Sequence, residues 1–438
     1  MNYLVSLFKS RDLRNKILFT LFILLVYKVL THVPVPGSNY AALSQLFNQQ
    51  AAAGGLADTF SAFSALMGGG NSEGLSFILM GLSPYINASI ILQLLAVIIP
   101  KLEAISKDGQ RGQEIINKYT RWLTVPLALL QSYGMILLLN TSFGGGELVA
   151  PAMIPIAMIS VTAGSLLLLW LGEMITEKGI GNGVSILIFA SIVTAIPQYF
   201  INNLSISLED NAAFASIVFL LVITVALLLF VTWFTEAQRN IPITYAEHGK
   251  RGMEKSNLPI RLNQAGMVPI IFGVSMVTFP SIAANLIAAF STNSTLRSIS
   301  DWILANFNPS APNMWYQVIF FLLTMFFSYF YVSIVFHPDQ VAENIQKRGG
   351  FIPGVRPGKE TAQFIGAVSA RLTLWGGLFI ALVAIFPYVF QAFTSSSSFG
   401  SVQLLISGAG LIIIVGVVLE VLRKIQVELV TKDYDKFY

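Results

Sequence analysis

Long apolar runs broken by polar stretches dominate this chain. Runs of roughly 20 residues, the length a helix needs to cross a ~30 Å hydrocarbon core, lie near 17–36, 75–99, 121–140, 152–171, 183–199, 213–234, 266–289, 315–336, 362–390 and 402–422. They predict ten membrane-spanning helices and an all-α, polytopic membrane protein. The breaks are short except at 37–74, 100–120, 235–265, 290–314 and 337–361. The first run ends in His32-Val33-Pro34-Val35-Pro36-Gly37, a poor small-residue cleavage site. It is as long as a full span, so a retained first helix is expected rather than a signal peptide.

One break departs from simple connection. The stretch Leu56–Met67 (LADTFSAFSALM) is followed by Gly68-Gly69-Gly70. Twelve helical residues reach about 18 Å, too short to cross the bilayer. Two readings stay open: a re-entrant helix on flexible glycines, or an ordinary helix lying on the outer surface. The first requires protein or a water-filled cavity to satisfy its backbone ends at membrane depth.

Charge orients the runs. Of 26 Lys and Arg residues, 24 fall in one alternating set of breaks, the exceptions being Lys28 and Arg297. The opposite set carries the acids Asp58, Glu73, Glu147, Glu209, Asp210 and Asp301. Basic loops stay on the cytoplasmic side, so both termini are expected there and the number of spans must be even. Two sets of five spans would then enter from opposite sides, an inverted repeat. The expected division is 1–200 for spans 1 to 5, an outer hinge at 201–212, and 213–438 for spans 6 to 10. The composition, 55% hydrophobic and 11% charged with a mean hydropathy of +0.70, agrees with a membrane protein. No cysteine is present, which excludes disulfides and Cys-ligated metals.

What the spans lack narrows the function. Ion-coupled carriers place ionisable groups near the midplane. Here Glu173, Glu236 and Glu420 fall at cytoplasmic ends of runs, and Lys28, well within one, can snorkel outward. His32, His248 and His337 are scattered, and neither HExxH nor GxSxG nor a Gly-rich phosphate loop occurs. No enzyme, metal site or cofactor is expected. A pathway without charges can instead seal by an apolar constriction that stays dry when closed. A secondary transporter and a pore-less membrane scaffold or insertase are the rival classes. The two long basic breaks, with Arg239, Lys250 and Arg251 in one and Lys347, Arg348 and Arg356 in the other, read as a docking platform for a large acidic partner. The plainer reading is that they only set topology and touch anionic headgroups.

Four stretches carry a resemblance: Leu82–Gln93 (LSPYINASIILQ), Trp170–Ser185 (WLGEMITEKGIGNGVS), Leu258–Phe272 (LPIRLNQAGMVPIIF) and Gly350–Gly358 (GFIPGVRPG). Together, in this order on ten spans, they resemble SecY, the channel-forming subunit family of the bacterial protein translocon. The resemblance covers essentially the whole chain. It implies a protein-conducting channel of the bacterial cytoplasmic membrane that passes unfolded secretory polypeptides and releases membrane segments sideways. It implies a pore ring of Leu82, Ile86, Val184, Ile188, Ile271 and Ile413, and a plug formed by Leu56, Phe60, Phe63, Leu66 and Met67. It implies a lateral gate between spans 2 and 7, with Asn87, Gln93, Ser275 and Phe279. The implied partners are the small subunits SecE and SecG, the ATPase SecA, the ribosome (rRNA only through it), signal peptides, precursor chains and the bilayer. The basic residues just named would meet the ribosome and SecA, Arg356 foremost. One departure is the run Gly252-Met253-Glu254-Lys255-Ser256-Asn257, where most bacterial members carry a Gln-Ser-Thr-like run after a longer basic arm.

Overall fold

A computed structural model describes residues 11–38, 76–106, 108–142, 149–207, 211–245, 254–290, 293–307, 313–394 and 407–435. Its helices are α1 (Arg11–Leu30), α2 (Ser83–Ile98), α3 (Pro100–Ser106), α4 (Gly109–Ser142), α5 (Ile154–Lys178), α6 (Gly183–Ser207), α7 (Asn211–Glu236), α8 (Val268–Phe290), α9 (Ser294–Asn306), α10 (Met314–Val335), α11 (Pro338–Lys347), α12 (Lys359–Thr394) and α13 (Gly408–Asp435). Three strands, β1 (Gln238–Tyr245), β2 (Glu254–Arg261) and β3 (Gly350–Phe351), form an antiparallel sheet in the order β2-β1-β3.

Each of the ten apolar runs holds a helix. Among the described residues, length and hydropathy alone qualify four stretches as spans: Pro151–Lys178, Val218–Glu236, Met314–Lys347 and Lys359–Gln391. The pair α2 and α3 qualifies as a fifth, bent by 110° at its junction. The second run begins later than its hydropathy suggests. Residues 76–82 form turns, with Gly81 at φ +54°, and the helix starts at Ser83 with Pro84 in its first turn. Proline supplies the helical φ at that position, and the N–H it lacks is one that a helix's first turn leaves unpaired in any case.

The breaks are more structured than connection alone demands. The 100–120 break contains α3 and the first turns of α4, and the 290–314 break contains α9, capped by Asn293 Oδ1 accepting from the Thr295 amide (3.1 Å). The 235–265 break is the β1–β2 hairpin, closed at its base by the Leu262 amide donating to the Ala237 carbonyl (2.9 Å).

Two compact units make up the chain. The first comprises Met1–Phe214, Ser275–Tyr316 and Val417–Tyr438; the second comprises Ala215–Val274 and Gln317–Gly416. In the first unit, the polar ties join segment ends that the charge pattern puts on one side. Lys16 of α1 pairs with Glu428 of α13, and Arg121 of α4 pairs with Glu173 of α5 (2.6 Å). At the other ends, Pro34 bridges Ser76, Ser38 bridges Val149, and Asn140 clamps the Val149 amide and carbonyl (3.0 Å each). Val35, Leu79, Met80, Ile136, Val149, Ala157 and Val161 pack beneath these outer ties.

Helices in lipid gain little from apolar burial and pack through small residues instead. A Cβ on Gly164 of α5 would overlap the Phe77 carbonyl, and one on Gly376 of α12 would overlap the Leu262 carbonyl. The motif at 170–185 is built the same way. Thr176 Oγ1 donates to the Gly172 carbonyl and accepts from the Gly183 amide (2.9 Å each). Asn182 Oδ1 caps α6 by accepting from the Val184 and Ser185 amides (3.1 and 3.4 Å). A side chain at Gly183 would strike the Gly172 carbonyl, so this turn presses α6 against α5.

Candidate pore and docking surfaces

The six expected ring positions are aliphatic, and the structure orders them in pairs. Leu82 caps the start of α2 and accepts from the Ile86 amide one turn on (3.0 Å); both are buried. Val184 and Ile188 are one turn apart at the start of α6, Val184 half-buried with Cγ2 against Gly172 of α5, and Ile188 buried. These four belong to the first unit. In the second unit Ile271 of α8 and Ile413 of α13 are buried. Their helices approach where Gly416 of α13 meets the Met267 side chain, one turn from each ring position.

The expected gate positions are mixed in character. Asn87 and Gln93 are half-buried on α2, and Gln93 Nε2 donates to Ser89 Oγ (2.9 Å). On α8, Ser275 is buried with no partner for its hydroxyl among the described residues, while Phe279 is 60% exposed. The plug positions Leu56, Phe60, Phe63, Leu66 and Met67 lie outside the described residues, as do Lys250 and Arg251.

The basic breaks form one surface, which the sequence did not reveal. Strand β3 pairs with β1 at Phe351–Thr244 and Gly350–Tyr245, so the 337–361 segment adds a third strand to the hairpin. Beneath, Ile241, Ile243 and Ile260 of the hairpin pack with Ile345 of α11, Ile352, and Ile365 and Val368 of α12. Gly350 fits against the Tyr245 ring and Ile345 Cγ2, where a Cβ would lie 2.7 and 3.0 Å away. Ile241, Ile243, Ile260, Ile345 and Ile352 come from the polar breaks between apolar runs, so their burial is worth ~25 cal/mol per Å². A period-two signal was present in Ile241, Ile243 and Tyr245, interrupted by Pro242.

On that scaffold Arg239, Lys347, Arg348 and Arg356 are all exposed. Arg356 lies in a turn made by Pro353, Gly354 (φ +84°), Pro357 and Gly358 (φ +100°), with its side chain 87% exposed and 4.0 Å from Glu360. Thr361 Oγ1 donates to the Arg356 carbonyl (2.9 Å) and fixes the turn to α12. Lys347 pairs with Glu343 (2.7 Å), and that hydrogen bond and charge hold the Glu343 carboxyl below the usual carboxylate range. Among the described residues no group of three His, Asp or Glu side chains is placed to hold a metal.

Comparison with known proteins fits this geometry. The SecY family model matches residues 76–422. The protein translocase subunit SecY of Corynebacterium glutamicum is 38% identical over 99% of both chains. Those of Streptomyces galbus and Halalkalibacterium halodurans are 39% and 36% identical, over 98% and 99% of this chain and 98% of each relative. Among solved structures, one described as a protein-conducting channel superposes with a TM-score of 0.67 at 16% identity, covering 95% of this chain and 92% of the other. Sec61 in a canine ribosome–channel complex gives 0.64 at 16% identity over the same shares.

Proposed function

The chain belongs to the SecY family, and on that premise we propose how it works as a protein-conducting channel. Full-length similarity to translocase subunits carries this reading. The channel passes unfolded polypeptides across the bacterial cytoplasmic membrane and releases apolar segments sideways into it. Ten helices span, in two inverted halves of five, with both termini in the cytoplasm; the distribution of Lys and Arg supports this orientation.

Leu82, Ile86, Val184, Ile188, Ile271 and Ile413 act as a gasket. Apolar contact is non-directional, so branched side chains fit an extended chain of any sequence. Closed, the gasket leaves ions facing a desolvation cost. Residues 56–67 form the plug on the outer side, and α2 separates from α8 when the gate opens, with Asn87, Gln93, Ser275 and Phe279 along that seam. The platform of β1, β2, β3 and α11 docks the ribosome or the motor ATPase SecA, and SecE and SecG complete the complex. The welded cluster under four exposed cations supports a docking role, since setting topology alone requires no shared core. The channel performs no bond chemistry of its own.

The test is reconstitution. Purified chain with its small subunits and SecA in liposomes should import a secretory precursor only when ATP is present. Entry independent of ATP and motor, or uptake of a small solute instead, would replace this reading with the transporter class.

A further inference from the structure

The groove between α4 and α5 changes character along its length. Its first cavity, about 540 Å³, is lined by Val125, Pro126, Leu166 and Leu169 and walled by Trp122 and Trp170, with the Arg121–Glu173 pair at one end. A second cavity of about 500 Å³ shares Arg121 and Trp122 and continues over Glu114, Asn117 and Lys118. Along α4 these positions recur every three to four residues, so they form one stripe of the helix. Read from the basic, cytoplasmic end, the stripe runs from ionisable groups through a tryptophan to aliphatic side chains, and Leu130, 58% exposed, extends it. Trp122 and Trp170 are 73% and 58% exposed, the amphipathic rings that mark a membrane interface.

We propose that this groove binds one aminophospholipid of the phosphatidylethanolamine class. The polarity gradient has the shape of an amphiphile with its head toward the cytoplasm and one acyl chain along Val125, Pro126 and Leu166. The charges select the head. Glu114 and Glu173 balance Lys118 and Arg121, so the lining is neutral and a net-anionic lipid would bring uncompensated charge. Arg121 already faces Glu173, which leaves Lys118 for the phosphate and Glu114 for the ammonium. A choline head matches the charge but has no N–H to give the Glu114 carboxylate.

The test uses the full chain with Trp233, Trp302, Trp315 and Trp375 changed to Phe, leaving Trp122 and Trp170 as reporters. In nanodiscs of phosphatidylcholine, brominated phosphatidylethanolamine, phosphatidylglycerol or phosphatidylcholine is titrated in, and tryptophan quenching is read. Phosphatidylethanolamine should bind about tenfold more tightly than either competitor, the scale of one charged hydrogen bond partly screened at an interface. In a Glu114→Gln, Lys118→Gln variant the preference should fall to about one, while brominated phosphatidylcholine quenches as before, showing that the variant is still inserted. Equal quenching by all three lipids, or preference for phosphatidylglycerol, would overturn the proposal. If the four-Phe chain does not fold, native mass spectrometry of the unaltered chain from mixed micelles decides. One retained phosphatidylethanolamine supports the site, and none retained in excess of the competitors overturns it.

Discussion

Replacing Ile345 with alanine tests whether the two basic breaks are one body. Ile345 is 6% exposed and belongs to a cluster whose other members come from the hairpin, Ile352 and α12. The change removes three carbons from a packed site, at a cost of about 2–5 kcal/mol. Helix α11 has ten residues, a length at which an isolated helix is marginal in water. Its order therefore rests on this packing, and so does the third strand that follows it. If about 3 kcal/mol of the loss falls on the platform, its open population rises roughly a hundredfold, at 1.4 kcal/mol per decade. Hydrogen exchange read by mass spectrometry should show the amides of Ile241, Ile243 and Thr244 exchanging about a hundredfold faster, although they lie far from Ile345 in sequence. Amides of α4 should not change, and in a Glu343→Ala control on the exposed face of α11 the hairpin amides should change far less than in Ile345→Ala, since an exposed ion pair contributes little. Faster exchange in α11 with an unchanged hairpin would show that the breaks fold separately, and the single-platform account would fail.

Further outcomes follow from the same geometry. Arg356→Glu should abolish motor-driven translocation while leaving insertion and thermal unfolding unchanged, since the side chain is 87% exposed; normal translocation by that variant removes the docking role at this position. Ile188→Asn should make planar bilayers leak ions, and Val193→Asn, at a 37% exposed site on another face of α6, should not; equal leak from both removes Ile188 from the ring. The Glu343 carboxyl, held low by Lys347, should titrate below an ordinary glutamate in an NMR titration and return upward in Lys347→Met. By linkage, its contribution to α11 is present above the usual carboxylate pKa and lost as pH falls through the lowered one. A Glu343 midpoint unmoved by Lys347→Met would show that the pair does not form in solution.

The helices were legible because a spanning segment must be apolar over its whole length, and hydropathy reads that directly. Their ends were less so: Ser83-Pro84 and Gly81 moved the start of α2 inward from its apolar run. The hairpin was missed because Pro242 and Pro259 break its strand signal. What stabilises it is a cluster joining residues about a hundred positions apart, and no local pattern reports that. The ring residues were named from resemblance alone, and burial does not single them out. Ile412 is as buried as Ile413, at 2% each, and Leu187 is as buried as Ile188. Aliphatic side chains that line a pore and those that fill a core have the same chemistry, so only a functional readout separates them. The Arg121–Glu173 pair was equally hidden, since its members lie on different helices more than fifty residues apart.

The central claim is that an unfolded polypeptide passes through the aliphatic constriction. The chain has no cysteine, so single cysteines can be placed without background. One would be introduced at Ile86, Ile188 or Ile271, and separately at Val193, with a secretory precursor carrying one cysteine stalled part-way by a folded C-terminal domain. Under oxidising conditions, the first three positions should form disulfides with the stalled precursor, and Val193 should not. Cross-links at Val193 alone, or at none of the ring positions while the precursor is demonstrably stalled across the membrane, would contradict a route through this ring.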